Sequence, residues 1–305
     1  MEQELSGVLI VNKHAGVTSH DIVNKIRRLY GTKRVGHTGT LDPMATGVLV
    51  VLIGRAAKAS EYLCTDQKSY RARLRLGLTT DTEDTTGNVL TVCEDIPTFD
   101  EVQKVLPSFR GKIQQIPPMY SALKVNGKKL VDLARQGVTV ERKAREIEIF
   151  KLEATPTEIV SDYMLSVSCS GGTYIRTLCA DIGAALKCGG AMAELERTET
   201  GGFSLEQSHL LETLESLSME ERQALLIPTE SLFQALPTMQ LPSFFERLCR
   251  SGCEIYLKKL NLKTRFEPAQ RVRLCQENGK FFALGEIGEY EEGMAVKAIK
   301  TFELT

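Results

Sequence analysis

The run Val48-Leu-Val-Val-Leu-Ile53 is the longest uninterrupted apolar stretch in the chain, and it constrains the fold more than any other feature. It is far shorter than the ~20 residues a membrane-crossing helix needs, and it has the length of a buried strand. Around it the periodicity predicts strands at Gly7–Asn12, Tyr70–Leu78, Glu146–Leu152 and Tyr163–Cys169. Helices are predicted at Ser19–Tyr30, Ala56–Cys64, Phe99–Leu106, Lys129–Gln136 and Ile175–Leu186. Residues 107–128, with Pro117-Pro118 and Asn126-Gly127, read as an irregular excursion. Helices and strands alternate without regular βαβ spacing, which points to an α+β fold with a mixed sheet rather than a doubly wound one. An acidic helical stretch at 206–226 is followed by the segment Pro228 to Pro242, and then by short strands at Arg271–Gln276, Phe281–Ile287 and Met294–Lys300. A small β-rich domain is therefore expected from about residue 237 of the 305.

The formal net charge of −1 hides a pattern. Residues 1–150 carry 22 Lys and Arg against 17 Asp and Glu, a net of +5, whereas residues 206–232 carry one Arg and six Glu, a net of −5. The bases cluster at 25–28, 33–34, 71–75, 124–129 and 142–145, and Arg71, Arg73 and Arg75 alternate along one face of a strand. Such groups build a phosphate-binding surface if they stand open, or solvated faces if acids answer them; charge alone favours the second. The eight cysteines, Cys64, Cys93, Cys169, Cys179, Cys188, Cys249, Cys253 and Cys275, contain no CxxC and are expected as reduced, packed thiols. Acids at the N-terminus, where a signal peptide carries bases, point to the cytoplasm.

Three segments are candidates for chemistry. In Arg34-Val-Gly-His-Thr-Gly-Thr-Leu-Asp-Pro-Met-Ala-Thr-Gly47, two glycines flank His37 and Thr38, and Pro43 holds Asp42 extended. Asp42 suits covalent catalysis from a loop on a rigid scaffold, but Asp-Pro is equally a helix N-cap with Pro at N1. In Ser168-Cys-Ser-Gly-Gly-Thr-Tyr-Ile-Arg176, an arginine opens a helix against the dipole, which calls for an anion beside it: Asp42 or a phosphate. In Lys68-Ser-Tyr-Arg-Ala-Arg-Leu-Arg-Leu-Gly77, Tyr70 heads the basic strand and either stacks on a base or fills the core. Asp81 to Gly87 has partial calcium-loop spacing, but Val92 stands where the closing Glu belongs, so it reads as a turn. No strand–GxGxxG–helix, P-loop or metal-ligand pattern occurs, so neither nucleotide cofactor nor metal is expected.

Together these segments resemble the family of bacterial tRNA pseudouridine synthases of the TruB type. Gly36-His-Thr-Gly-Thr-Leu-Asp-Pro-Met-Ala-Thr-Gly47 is similar to the family's GHTGxLDPxATG, and Lys68-Ser-Tyr70 up to Leu76-Gly77 to its KxYxxxxxLG. Ile116-Pro-Pro-Met-Tyr-Ser-Ala-Leu-Lys124 with Gly127-Lys128 resembles IPPxxSAxKxxGxxxY, and Gly172-Thr-Tyr-Ile-Arg-Thr-Leu178 resembles GTYIRxL. The likeness runs in order through residues 6–203, and Gly279 to Ile287 resembles part of a PUA-type RNA-binding domain. The chain departs from the family pattern at His14 (for Pro) and at Glu196 and Glu199, where bases are usual.

The resemblance implies a mixed, mainly antiparallel sheet flanked by helices over residues 1–236, with an RNA-binding insertion at about 107–145, and a PUA-like domain at 237–305. It implies isomerisation of the T-loop uridine at position 55 of tRNA, without cofactor; nothing in the sequence demands a partner chain, so a monomer is expected. Asp42 would be the nucleophile, Arg176 its partner, and Tyr70 would stack on the flipped uracil and serve as base for the C5 proton. His37 would fill the space the uridine leaves, Tyr174 and Leu195 would line the pocket, Lys13 would steer phosphate, and Lys58 would complete the substrate-binding set. A non-catalytic RNA-binding or RNA-folding protein on the same scaffold is the alternative; an aspartyl phosphatase is excluded by Met44, where its second Asp would stand.

Overall fold

The computed structural model describes residues 5–63, 67–125, 127–262 and 264–302; Cys64 and Asn126 of the reading above lie outside the described residues. The apolar run becomes the strand Thr46–Ile53, buried throughout from Gly47. It is buried because both of its faces are covered. Val48, Val50 and Leu52 pack with Phe203 and Phe233, while Leu49, Val51 and Ile53 pack against Ile22, Val23 and Ile26 of the helix Ser19–Leu29. That helix starts where the sequence places it: Thr18 and Asp21 form a reciprocal capping box.

The strand belongs to a ten-stranded sheet. Its main path runs His209–Leu210, Gly7–Lys13, Thr46–Ile53, Gly190–Thr200, Lys68–Leu76, Asp162–Cys169, Arg145–Pro156 and Gly111–Gln115. Val35–His37 and Phe203–Ser204 pair off this path. The pairings are antiparallel apart from two short parallel ones, at Val11↔His209 and at Gly47↔Arg197. The sheet's centre, Gly190–Thr200, has no clear signature in the sequence. It carries Glu194, Glu196 and Glu199, which suppress any apolar alternation, and it is a strand because its backbone is paired on both sides.

Other differences are local. The helix expected at Ala56–Cys64 is a 3-10 segment, Gly54–Tyr62. The excursion at 107–128 contributes the edge strand Gly111–Gln115 and a small hairpin, Lys124–Val125 with Lys128–Lys129. The acidic stretch breaks into two short helices, Leu211–Ser216 and Met219–Ala224, because Ser218 caps the second. The helix Ile175–Ala185 buries Ile175, Leu178, Cys179 and Ile182 against the sheet. Gly183 and Gly190 let its backbone approach so closely that a Cβ on Gly183 would collide with the Gly190 backbone.

A second sheet of five strands is built from Thr238–Gln240, Ile255–Tyr256, Arg271–Cys275, Phe281–Tyr290 and Gly293–Thr301. Phe281 and Phe302 meet Phe233 with ring centroids 6.0 and 5.6 Å apart, so this sheet shares a core with the first. Lys300 pairs with Glu61, and the Arg271 guanidinium lies 5.2 Å from the Tyr62 ring. The described cysteines are free thiols. Among the described residues no helix is long and apolar enough to cross a membrane.

Candidate active site

The segment 36–47 joins Val35–His37 to Thr46–Ile53, and Asp42 sits at its apex. Asp42 does not cap a helix. Its carbonyl accepts the Ala45 N–H at 3.0 Å, which makes Asp42–Ala45 a β-turn with Pro43 at the second position. The segment 13–19 pins this turn from below. Lys13 Nζ donates to the carbonyls of His14 (3.0 Å), Pro43 (3.2 Å) and Ala45 (2.5 Å). Gly16 N–H donates to Pro43 O at 2.8 Å, and the Ser19 hydroxyl accepts from Leu41 N–H at 2.8 Å. Gly47, at φ +99°, must be glycine: a Cβ there would run into the Arg197 backbone.

Arg176 reaches the turn from the first turn of Ile175–Ala185. Its Nη2 donates to Asp42 Oδ1 at 3.2 Å, and its Nε lies 2.9 Å from Oδ2. The remaining donors go to Tyr120 O at 2.8 Å and Thr82 O at 3.2 Å, and Asp84 Oδ2 stands 3.8 Å from Nη1. Arg176 is 6% exposed and the Asp42 side chain 33%, so a fixed, dry cation holds a carboxylate that still meets solvent. Burial pushes the Asp42 carboxyl above its ordinary value, and Arg176 opposes that shift. The helix dipole objection to Arg176 is met by two carboxylates.

Tyr70 is buried in the main core with Leu41, Ala45 and Leu195; burial raises its pKa, and the charge of Arg197 opposes that shift. Leu195 contributes to the wall of an open groove of about 570 Å³, which runs from Ala15, Met44 and Thr46 onto the outer-face pairs of Arg71 and Arg73 with Glu196 and Glu194. Tyr174 precedes the Arg176 helix, and its backbone is fixed by Gln115: Tyr174 N–H donates to Oε1 at 2.8 Å while Nε2 donates to Tyr174 O at 3.0 Å. His37 is half-buried on its short strand, with a buried Nδ1 that has no hydrogen-bond partner among the described residues. Burial lowers its pKa, and Arg197 adds to the effect.

Two expected contacts stand apart from this arrangement. Lys13 is fully buried and gives its hydrogens to carbonyls, so it clamps the Asp42 turn and does not reach out to phosphate. Its pKa falls to about 8 because burial disfavours the ammonium. Lys58 lies on Gly54–Tyr62, past the far end of Thr46–Ile53, roughly 20 Å of strand from the Asp42 turn. There it lines a second cleft with Lys33, Arg34 and Arg55 and donates to Thr301 O at 3.4 Å.

The basic strand is also neutralised on its outer face. Arg71 pairs with Glu196 at 2.6 Å, Arg73 with Glu194 at 3.3 Å and Arg75 with Asp162 at 2.8 Å. Glu196, out of place against the family pattern, is therefore the cross-strand partner of Arg71.

Two parts of the site escaped the sequence reading. The turn at 81–87 is more than a turn: Asp84 is buried, accepts from Thr82 Oγ1 (2.9 Å), Thr86 N–H (3.0 Å) and Thr86 Oγ1 (2.5 Å), and backs Arg176. The threonine-rich spacing around Asp84 is the signal that could have marked it. The other is Arg197, which faces Tyr70 directly across the ladder.

The two sheets define the fold class first. A chain in the crystal structure of a Cbf5–Nop10–Gar1 complex matches with a TM-score of 0.75 and 26% identity over 97% of this chain and 85% of that one. A chain in the structure of an H/ACA RNP bound to a substrate RNA containing 2′-deoxyuridine shares the fold at a TM-score of 0.72. The chain belongs to the TruB family of pseudouridylate synthases: the model of the family's N-terminal domain matches residues 27–175, and that of the tRNA pseudouridylate synthase B C-terminal domain matches residues 176–234. The tRNA pseudouridine synthase B of Clostridium tetani is 42% identical over 285 residues, covering 92% of this chain and 96% of the relative. That of Francisella tularensis subsp. novicida is 45% identical over 239 residues, 78% and 79% of the two chains.

Proposed function

We propose that this chain is a tRNA pseudouridine synthase that isomerises the T-loop uridine at position 55, acting as a monomer in the cytoplasm. The observation that carries the reading is the Asp42–Arg176 pair: a carboxylate on a rigid turn, one-third exposed and ion-paired through both oxygens with a buried guanidinium. Family membership sets the reaction class, and the pair supplies the group to perform it.

The uridine leaves its loop stack, at a few kcal/mol, and enters beside Tyr70 and Leu195, with His37 placed to fill the space left behind. Asp42 attacks the nucleoside at ribose C1′ or uracil C6, the N1–C1′ bond breaks, the base turns and rejoins C1′ through C5, the bond to Asp42 breaks, and N1 takes a proton from water. The C5–H bond then breaks, its electron pair returns to the ring and the proton passes to the Tyr70 oxygen, which must be phenolate to accept it. Arg176 keeps Asp42 ionised against the cost of burial. Glycosidic bond is exchanged for glycosidic bond, so the balance needs no redox partner. Lys58 and its basic neighbours, the 107–145 insertion and the domain from residue 237 are assigned to the RNA outside the pocket.

Incubating the purified chain with an unmodified T stem-loop and mapping pseudouridine tests the reading. Conversion at the position-55 uridine is expected; binding without conversion would replace it with the non-catalytic RNA-folding alternative.

A further inference from the structure

Arg197 is 1% exposed, the largest fully buried side chain among the described residues. Its Nε donates to Val48 O at 2.8 Å and its Nη2 to Gly39 O at 3.1 Å, and the residue stands directly across the strand ladder from Tyr70. Nη1 lies only 3.6 Å from where a Cβ on Gly39 would be, so that glycine gives the guanidinium room beside the loop. One side chain thus ties the strand that follows the Asp42 turn to the glycine loop that precedes it, and it faces the proposed base. Gln, Lys or Met cannot serve all three, because only a guanidinium presents a rigid fork of donors.

The charge matters as well as the shape. Arg176 is answered by Asp42 and Asp84, whereas the described hydrogen-bond partners of Arg197 are two carbonyls, both neutral. An unanswered buried cation is unfavourable for folding, and an apolar side chain of the same volume serves a core better. The position makes sense where an anion forms during turnover. Burial raises the Tyr70 pKa, and Cys169 and Asp42 add to that shift; Arg197 is the one neighbour that opposes it and favours a negative oxygen.

We infer that Arg197 is a positioning residue for Tyr70: it fixes the ring against the Gly39 loop and is the counter-ion of the phenolate that takes the C5 proton. In each cycle the Tyr70 proton passes to water, the phenolate forms beside Arg197, and the C5 proton restores the phenol. The inference rests on the function proposed above, so its test includes a readout that needs no substrate.

Arg197→Gln and Arg197→Lys are made in the full chain, with folding checked by near-UV circular dichroism. With the unmodified T stem-loop, kcat of Arg197→Gln is expected to fall about 100-fold, and Arg197→Lys to recover about tenfold of that, with KM changed less than about threefold. Arg197→Gln combined with Tyr70→Phe should be no slower than Tyr70→Phe alone. A deuterium isotope effect at uridine C5 should grow in Arg197→Gln. In chains labelled with 13Cζ-tyrosine, the resonance absent from Tyr70→Phe should shift in Arg197→Gln without RNA present. An unmoved resonance, an additive double variant, or wild-type kcat in folded Arg197→Gln overturns the inference. If the wild-type chain converts no RNA, the functional reading fails, while the resonance still decides whether Arg197 sets the state of Tyr70.

Discussion

The strand pair Lys68–Leu76 and Gly190–Thr200 has two faces that use arginine in opposite ways. On the outer face Arg71 and Arg73 meet Glu196 and Glu194 at the register positions directly across, in partial contact with water. On the inner face, one residue along, Tyr70 and Ala72 meet Arg197 and Leu195 in the dry core. The outer cations are visible in the sequence as a basic run, yet carboxylates cancel them. The inner cation is hidden in an acidic-looking stretch, yet it faces the proposed base across the ladder. Strand pleating puts neighbours in sequence on opposite faces, so the local density of charge says little about which charge acts.

The contrast breaks most decisively at Asp42. Asp42→Asn should abolish pseudouridine formation while binding of the stem-loop stays within about threefold, because it removes the proposed nucleophile and leaves the surface intact. Retained conversion would show that the inner face is not the reactive one. Arg176→Gln should lower kcat about 10²- to 10³-fold, the scale of losing one preorganised electrostatic partner. It should also move the acid limb of the pH–rate profile to higher pH: burial already raises the Asp42 pKa, and removing the opposing cation raises it further, so the carboxylate is lost at a higher pH. A limb that stays in place would uncouple the pair.

Lys13 provides a subtler test through stability. Its pKa is about 8 in the folded chain against an ordinary 10.5, so between those values the unfolded chain binds more protons at this group. This group alone therefore makes stability rise with pH across that window, and Lys13→Met should flatten the slope measured by urea unfolding between pH 8 and 10. An unchanged slope would mean that the ammonium is not desolvated. The outer face should respond least. Arg71→Ala, which removes one end of a half-exposed pair, should change stability by under about 1 kcal/mol. Glu196→Gln should instead release Arg71 to meet phosphate, tightening stem-loop binding severalfold and steepening its salt dependence, as read by filter binding at several salt concentrations. No change in the salt slope would mean that this face is remote from the RNA.

Legibility followed the range of the interactions. The capped helix Ser19–Leu29, the strand Thr46–Ile53 and the turn chemistry of Asp42-Pro43 are local, and each is marked by residues within one or two turns of chain. The likeness of residues 36–47, 68–77 and 172–178 to a family pattern carried the site further than any propensity. The strand Gly190–Thr200 was not legible because it is specified by neighbours far away in sequence. Asp84 and Arg197 were missed for the same reason, since each is defined by a partner across the sheet or beneath a helix. The resemblance assigns Lys13 to phosphate, and nothing in its own segment reveals that three carbonyls surround it.

By itself, then, the order of residues determined the helix start at Thr18, the buried strand after Gly47, the turn that presents Asp42, and the family to which these motifs are similar. Only the tertiary structure decided which cations stand in water with a carboxylate and which are buried against carbonyls. The physical reason is that the effect of a charge depends on its solvent and its partners, and the partners of Lys13, Arg176 and Arg197 come from segments up to 158 positions away.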